Sequence, residues 1–256
     1  MIKRNPTTNT SALQIPRKDL GKKPYKYLKS QKLEEPARQK RKKRARGLLA
    51  RFSRRRQRKI VFSDEKLFDI EQAFNPQNDR IWSDDALETV DRVVEQAQKP
   101  SRVMVWAPIC ATRKTPLVFV DAGVMINRYV YMGMLQGQFF PWAEEHFGDE
   151  EWCFLQDSAP GHKANETREM LAEECPEFIS QDAWPPNSPD LNPLDYSIWS
   201  ILEQKVCAKP HKTVESLKQA LIKAWDEISV ETLAKIVDDF PKRLKACVEA
   251  EGGHFE

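Results

Sequence analysis

Three aspartates stand at the ends of three hydrophobic signatures in this 256-residue chain. Asp64 follows Val61-Phe62-Ser63. Asp157 follows Trp152-Cys153-Phe154-Leu155-Gln156, and Asp195 follows the proline-rich stretch Trp184-Pro185-Pro186-Asn187-Ser188-Pro189-Asp190-Leu191-Asn192-Pro193-Leu194. Two cap apolar, strand-like runs, and the third opens a helix after a stiff loop. Carboxylates converging from separate segments suit a hard divalent cation, because magnesium takes oxygen ligands and usually only one or two carboxylates per ion from protein. A cation held in this way can act as a Lewis acid or lower the pKa of a bound water to make a nucleophile. Each acid alone could be an exposed strand end or a helix cap, and Asp195 could be a first-turn acid favoured by the helix dipole.

Neighbouring polar residues carry weaker readings. Asp190 is expected to fix its own loop by side-chain to backbone bonding. Glu65 should point to the sheet face opposite Asp64 if the strand is regular. Glu203 lies about two helical turns beyond Asp195 and could approach as an outer acid. His162 is an accessory candidate that contacts phosphate, positions the site or simply packs. Trp106, Trp184 and Trp199 read as core or loop-anchoring aromatics rather than base-stacking ones.

The elements that must position these groups follow from hydrophobic pattern. Ile60 begins a strand with Asp64 near its middle, continued by Leu67, Phe68 and Ile70. Further strands are expected over Asp79–Trp82, Arg102–Cys110, Pro116–Val120, Trp152–Gln156 and Phe178–Ser180, with Arg113-Lys114 turning a hairpin. Helices are expected over Ser11–Leu20, Glu34–Arg51, Asn127–Phe147 with a break at Pro141, Lys163–Cys175, Leu194–Val206, Val214–Ile228 and Val230–Val248. Strands first, then alternating helix and strand, give an α/β fold with a sheet covered by helices. Ligands in such sheets gather beyond the carboxyl ends of strands, where Asp157 lies.

Charge divides the chain. Residues 1–60 hold 22 Lys+Arg against 3 Asp+Glu, and the rest holds 19 against 35, although the net charge is only +3. So basic a block is a solvated tail or a polyanion surface, and nucleic acid is the commonest such partner. The phosphate-contact candidates are Arg17, Lys18, Lys22, Lys23, Lys26, Arg41, Lys42, Lys43, Arg44, Arg54, Arg55 and Arg56. The runs Arg38–Arg44 and Arg54–Lys59 could equally be nuclear import signals. Five cysteines without a CxxC pair argue against a zinc site or a disulfide framework and fit a reducing compartment. No apolar run is long enough to span a membrane, so a soluble, intracellular protein is expected.

Ser63-Asp64-Glu65, Gln156-Asp157-Ser158-Ala159-Pro160-Gly161-His162 and Ser188-Pro189-Asp190-Leu191-Asn192-Pro193-Leu194-Asp195-Tyr196 together resemble the signature blocks of Tc1/mariner DNA transposases. The Val103–Ala107 strand with Trp106 is similar too, and the resemblance extends over about residues 11–250. The 37 residues between Asp157 and Asp195, with aspartate third, resemble the DD37D branch near mariner rather than the glutamate-ended Tc1 branch. The resemblance implies an RNase H-like mixed sheet flanked by helices and preceded by a basic helical arm. It implies two Mg2+ or Mn2+ ions, with Asp64 bridging and Asp157 and Asp195 completing the two sites. It also implies cut-and-paste movement of double-stranded DNA bounded by terminal inverted repeats, a homodimer on DNA, and action in the nucleus.

Family members carry two helix-turn-helix units before the catalytic domain. Thr8–Tyr27 resembles only the end of the second, with Pro16 interrupting its recognition helix, so the chain is expected to be N-terminally truncated. The expected organisation is a helix-turn-helix remnant and basic exit loop over 1–33, a basic linker helix over 34–59, and the catalytic domain over 60–256. Two functions stay open: a competent transposase catalytic domain, or a relic or domesticated protein that binds DNA without sequence specificity. A non-transposing RNase H-like nuclease is a third.

Overall fold

The structure, a computed structural model, describes residues 32–70, 101–121, 123–157, 159–208 and 210–255. Its centre is the ten-residue strand β1 (Ile60–Asp69), whose first residues, Ile60, Val61 and Phe62, are buried on both faces. Such continuous apolar runs mark strands covered on both sides. On one flank β1 pairs antiparallel with β2 (Arg102–Ile109), placing Asp64 opposite Ala107 and Glu65 opposite Trp106; β2 in turn pairs with β3 (Val118–Val120). On the other flank β1 pairs parallel with β4 (Cys153–Leu155), which pairs parallel with β5 (Glu177–Ile179). The order is β3-β2-β1-β4-β5, a mixed five-stranded sheet.

The short parallel strand decides where a site can form. β4 meets β1 only at Ile60, Val61 and Phe62, so beyond Phe62 the β4 side of β1 has no neighbouring strand. The Ser63 hydroxyl bonds the Leu155 carbonyl at 3.0 Å where that pairing ends. Asp64 lies one residue further on, over an open notch.

Each face of the sheet has its own core. One face, with Ile60, Phe62 and Phe68, packs against α1 (Glu35–Arg51), α5 (Trp199–Val206), α6 (Val214–Asp226), α7 (Val230–Asp238) and α8 (Phe240–Glu249). The other, with Val61 and Trp106, packs against α2 (Arg128–Met134), a π-helical turn (Leu135–Phe139), α3 (Phe140–Phe147) and α4 (Asn165–Glu174). Local chemistry sets several boundaries. Asn127 caps α2 by accepting from the Tyr129 and Val130 amides, and Thr213 and Ser216 form a reciprocal box at the start of α6.

Most expected elements are present, with shifted ends. The hairpin between β2 and β3 turns where expected, with the Cys110 amide bonded to the Arg113 carbonyl at 2.9 Å. β3 begins at Val118, two residues after Pro116, which has no amide to give a ladder. The break expected near Pro141 is the π turn just before α3, with the proline in the first turn of α3. The single helix expected over Val230–Val248 is two, α7 and α8, because Pro241 fits the first turn of a new helix and not the interior of an old one. The helix expected at Ser11–Leu20 and the strand at Asp79–Trp82 lie outside the described residues.

Leu33–Glu256 form one compact unit, which includes α1. The helix read from sequence as a linker is packed onto the domain through Ala45 and Leu48, and Phe52 just beyond its end is buried with them. Among the described residues no helix is long and apolar enough to cross a membrane. All five cysteines are buried and free.

Candidate active site

Asp64 and Asp195 meet through a helix laid over β1. The turn Leu194–Ile198 is π-helical, closed by the Trp199 amide on the Leu194 carbonyl, and runs directly into α5. Such turns are rare and recur at functional sites. Asp195 and Trp199 are four residues apart, so both face β1. The Trp199 indole N–H donates to Asp64 Oδ2 at 2.6 Å, and the Asp195 carboxyl lies near enough for its charge to act on Asp64. Burial, then the charge of Asp195, pushes the Asp64 carboxyl well above the usual carboxylate range, although the Trp199 bond opposes this. Burial likewise lifts Asp195 to about 6, against the pull of its contact with Asp64 and of the Lys66 ammonium. Lys66 is itself paired with Glu203 at 2.9 Å, which holds Glu203 against that lysine and off the cavity lining.

Asp157 is oriented by a separate set of partners. Its Oδ1 accepts from the Ala159 amide at 2.8 Å and from His162 Nδ1 at 2.6 Å. The other ring nitrogen of His162 meets Glu65 Oε1 at 3.2 Å. Burial works against a charge on His162, but the bonds to Asp157 and Glu65 prevail and raise it to about 9. It is therefore an imidazolium at neutral pH, donating to two carboxylates. Burial alone would raise Asp157, but the His162 bond and charge hold it below the usual range. Tyr131 packs against the His162 ring, tilted by 36° with centroids 3.9 Å apart, and donates to Gln156 Oε1 at 2.7 Å; Gln156 Nε2 donates to the His162 carbonyl at 3.1 Å.

Glu65 does point to the opposite face from Asp64, as alternation requires. It still joins the site, because the chain leaving β4 passes through the notch beside β1 and brings His162 against it. Glu65, Asp157 and His162 are the described residues whose ligand atoms cluster within 4.8 Å. Both ring nitrogens of His162 are already engaged within that cluster, by Asp157 and Glu65. The oxygens left to hold a cation would be those of the carboxylates facing the cavity.

That cavity, of about 370 Å3, is lined by Asp64, Asp157 and Asp195 together with Glu65, and walled by residues 184–192. The three aspartates expected from sequence thus border one space. Their oxygens form a hard donor set, and Asp64 and Asp195 are two acids buried side by side, which leaves their charge in want of a counter-charge. A divalent cation fits that need. Asn192 ties the wall to β1 by donating to the Ser63 carbonyl at 3.3 Å.

The basic residues divide sharply. Arg41, expected to contact phosphate, has none of its side chain exposed. Its guanidinium is held by Asp190 and by backbone atoms, so it belongs to the fold. Asp190, expected to bond its own loop, bonds Arg41 instead, at 2.6 and 3.1 Å. Arg44 donates to the carbonyls of Gln181 and Trp184, and Lys42 is ion-paired with Glu251. Lys43, Arg54, Arg55 and Arg56 are exposed. Arg17, Lys18, Lys22, Lys23 and Lys26 lie outside the described residues. Sequence reasoning missed the roles of Trp199, Asn192 and Tyr131; the four-residue spacing from Asp195 to Trp199 was the one signal that could have shown the first.

No family model matches the chain. It is 30% identical over 196 residues to the Transposable element Tc3 transposase of Caenorhabditis elegans, covering 76% of this chain and 56% of that protein. It is also 30% identical over 150 residues to the Tcb1 transposase of Caenorhabditis briggsae, covering 59% and 52%. It is 28% identical over 103 residues to the Mariner Mos1 transposase of Drosophila mauritiana, covering 40% and 29%. The chain therefore spans about half the length of the first two relatives, or less of the third. Among solved structures, the Mos1 paired-end complex with left transposon end superposes with a TM-score of 0.81 at 20% identity, over 96% of this chain and 71% of that one. The Mos1 catalytic domain superposes with a TM-score of 0.70 at 21% identity, over 90% of this chain and 100% of that one. This likeness is one of fold: the mixed sheet flanked by helices is RNase H-like.

Proposed function

Because this chain belongs to the Tc1/mariner superfamily and carries its transposase catalytic domain, we propose that it cleaves and joins DNA strands at the cavity bordered by Asp64, Asp157 and Asp195, with divalent metal. The observation that carries this reading is the convergence of those three carboxylates, from a central strand, a strand end and a π turn, on one cavity. Mos1 structures described with Mg and with Mn support the metal requirement. On this reading Asp64, Asp157 and Asp195 would hold the metal, which we infer to be two Mg2+ or Mn2+ ions, with Asp64 shared between them. When bound, such ions supply an activated water or 3′-hydroxyl and stabilise the leaving oxygen.

The chain's own residues hold this arrangement. Trp199 fixes the rotation of the Asp64 carboxyl. His162 occupies one oxygen of Asp157 and leaves the other for the cavity, as outer partners of ligating groups do. Lys43 and Arg54–Arg56 offer charge to phosphates outside the cavity. The Mos1 complexes with transposon ends support double-stranded DNA as the partner. We further infer terminal inverted repeats as the substrate, a homodimer on DNA and a nuclear location, the last resting on the exposed cations of the Arg54–Lys59 run.

The test is cleavage of DNA carrying the gene's own flanking sequence in Mg2+ or Mn2+, with Asp157→Ala alongside. Metal-dependent cuts at defined ends, lost in the variant with DNA binding intact, are expected. Equal cutting by the variant would remove Asp157 from the mechanism, and binding without cutting by the wild type would favour the relic.

A further inference from the structure

The wall of the cavity is held from behind by the basic helix. Arg41 is buried in the middle of α1, and burying a guanidinium is costly unless every donor is matched. Here Nε donates to the Gly252 carbonyl at 2.9 Å. One terminal nitrogen donates to the Asn187 carbonyl at 2.7 Å, Ser188 Oγ at 2.6 Å and Asp190 Oδ1 at 3.1 Å, and the other to Asp190 Oδ2 at 2.6 Å. One turn further along α1, Arg44 donates to the carbonyls of Gln181 and Trp184 at 3.0 and 2.9 Å. Both arginines therefore grip one segment, residues 181–190. The opposite surface of that segment faces the carboxylates through Trp184, Pro185, Asn187, Ser188 and Pro189. Asn187 has a left-handed backbone (φ 50°), and Arg41 holds its carbonyl. The segment then runs through Asn192, bonded to β1, directly into Asp195.

We propose that Arg41 and Arg44 are positioning residues of the catalytic site: through them α1 sets the wall that presents a DNA strand to Asp64 and Asp195. This rests on the reading of the cavity as a DNA-cleaving site. Lys40, Lys43 and Arg46, at three-residue spacing, are exposed, so one helix offers a cationic stripe to phosphate on one side and steadies the catalytic wall on the other. A bidentate grip of this kind is specific to the planar guanidinium, and lysine does not reproduce it.

The experiment uses the full chain with Arg41→Gln, Arg41→Lys, Arg44→Gln and the paired Arg41→Met/Asp190→Leu. Three quantities are read: amide hydrogen exchange over 184–192 without DNA, affinity for a duplex, and single-turnover cleavage at saturating DNA. Misplacing a wall by about 1 Å costs on the order of a hundredfold in rate. Both Arg41 single variants should therefore exchange faster over 184–192 and cut about ten- to a hundredfold more slowly, with duplex affinity within about twofold of wild type. The paired variant removes both charges and should regain melting temperature while still cutting slowly, which separates positioning from bulk stability. Arg44→Gln, at a partly exposed site, serves if the Arg41 variants do not fold. Unchanged exchange over 184–192, or cleavage that recovers together with melting temperature in the paired variant, would overturn the proposal. A wild-type chain that never cuts would sink the DNA-cleavage reading, while the exchange data would still decide whether α1 holds the wall.

Discussion

Replacing Asp195 by asparagine should stabilise the metal-free protein while ending its activity. Burial raises the Asp195 carboxyl to about 6, against an ordinary value of 3.8. A carboxyl raised on folding binds protons more tightly in the native state, so the wild type loses stability as pH rises from about 4 through about 6. Two pH units of displacement correspond to roughly 3 kcal/mol, the cost of holding the ionised form in the fold at pH 7. Asparagine keeps the shape and removes the charge, and it also relieves its repulsion of Asp64. Thermal unfolding without divalent metal is the assay, run at pH 4.5 and pH 7. The variant should melt several degrees above the wild type at pH 7, and the gap should shrink to about a third of that at pH 4.5, closing only below the ordinary carboxyl value of 3.8. A variant less stable than the wild type at pH 7, or a gap unchanged at pH 4.5, would refute the reasoning that the acids are held under electrostatic tension.

Trp199→Phe removes the indole donor that steadies Asp64 Oδ2; a hydrogen bond to a charged group is worth about 1.5–3 kcal/mol, so cleavage at pH 7 should fall roughly ten- to a hundredfold and recover in part at higher pH. A rate within twofold of wild type, with the same pH profile, would remove Trp199 from the site. His162 is raised to about 9, so its stabilising charge is complete below pH 6.5 and lost as pH climbs through 9; His162→Gln should flatten the wild-type fall in melting temperature over that window, and an unaltered slope would contradict the assignment. Gly252→Ala places a Cβ 2.0 Å from the Arg38 carbonyl oxygen at a φ of +77°; the backbone conformation alone costs about 1–2 kcal/mol, so a melting temperature equal to wild type would show that the turn does not pack against α1. Neutralising Arg54, Arg55 and Arg56 together should flatten the salt dependence of duplex binding by up to about 0.9 log unit for each phosphate left without its cation; an unaltered slope would exclude this turn from the DNA surface.

The sequence by itself determined the three carboxylates, the strand that carries the first and the faces they take. Side chains alternate strictly along a strand, so Asp64 and Glu65 had to part company, and they do. Helical spacing likewise put Asp195 and Trp199 on one side. What sequence could not determine was which distant groups would complete each polar side chain. Glu65 enters the site only because β4 stops at Leu155 and leaves a notch for His162, a consequence of where parallel pairing ends. Arg41 read as one cation in a row of cations, although Ala45, Leu48 and Phe52, four, seven and eleven residues on, mark the buried face it shares. Its acceptors lie 146 to 211 residues away in the chain. Burial of a charge is decided by those long-range partners, and only the tertiary structure brings them together.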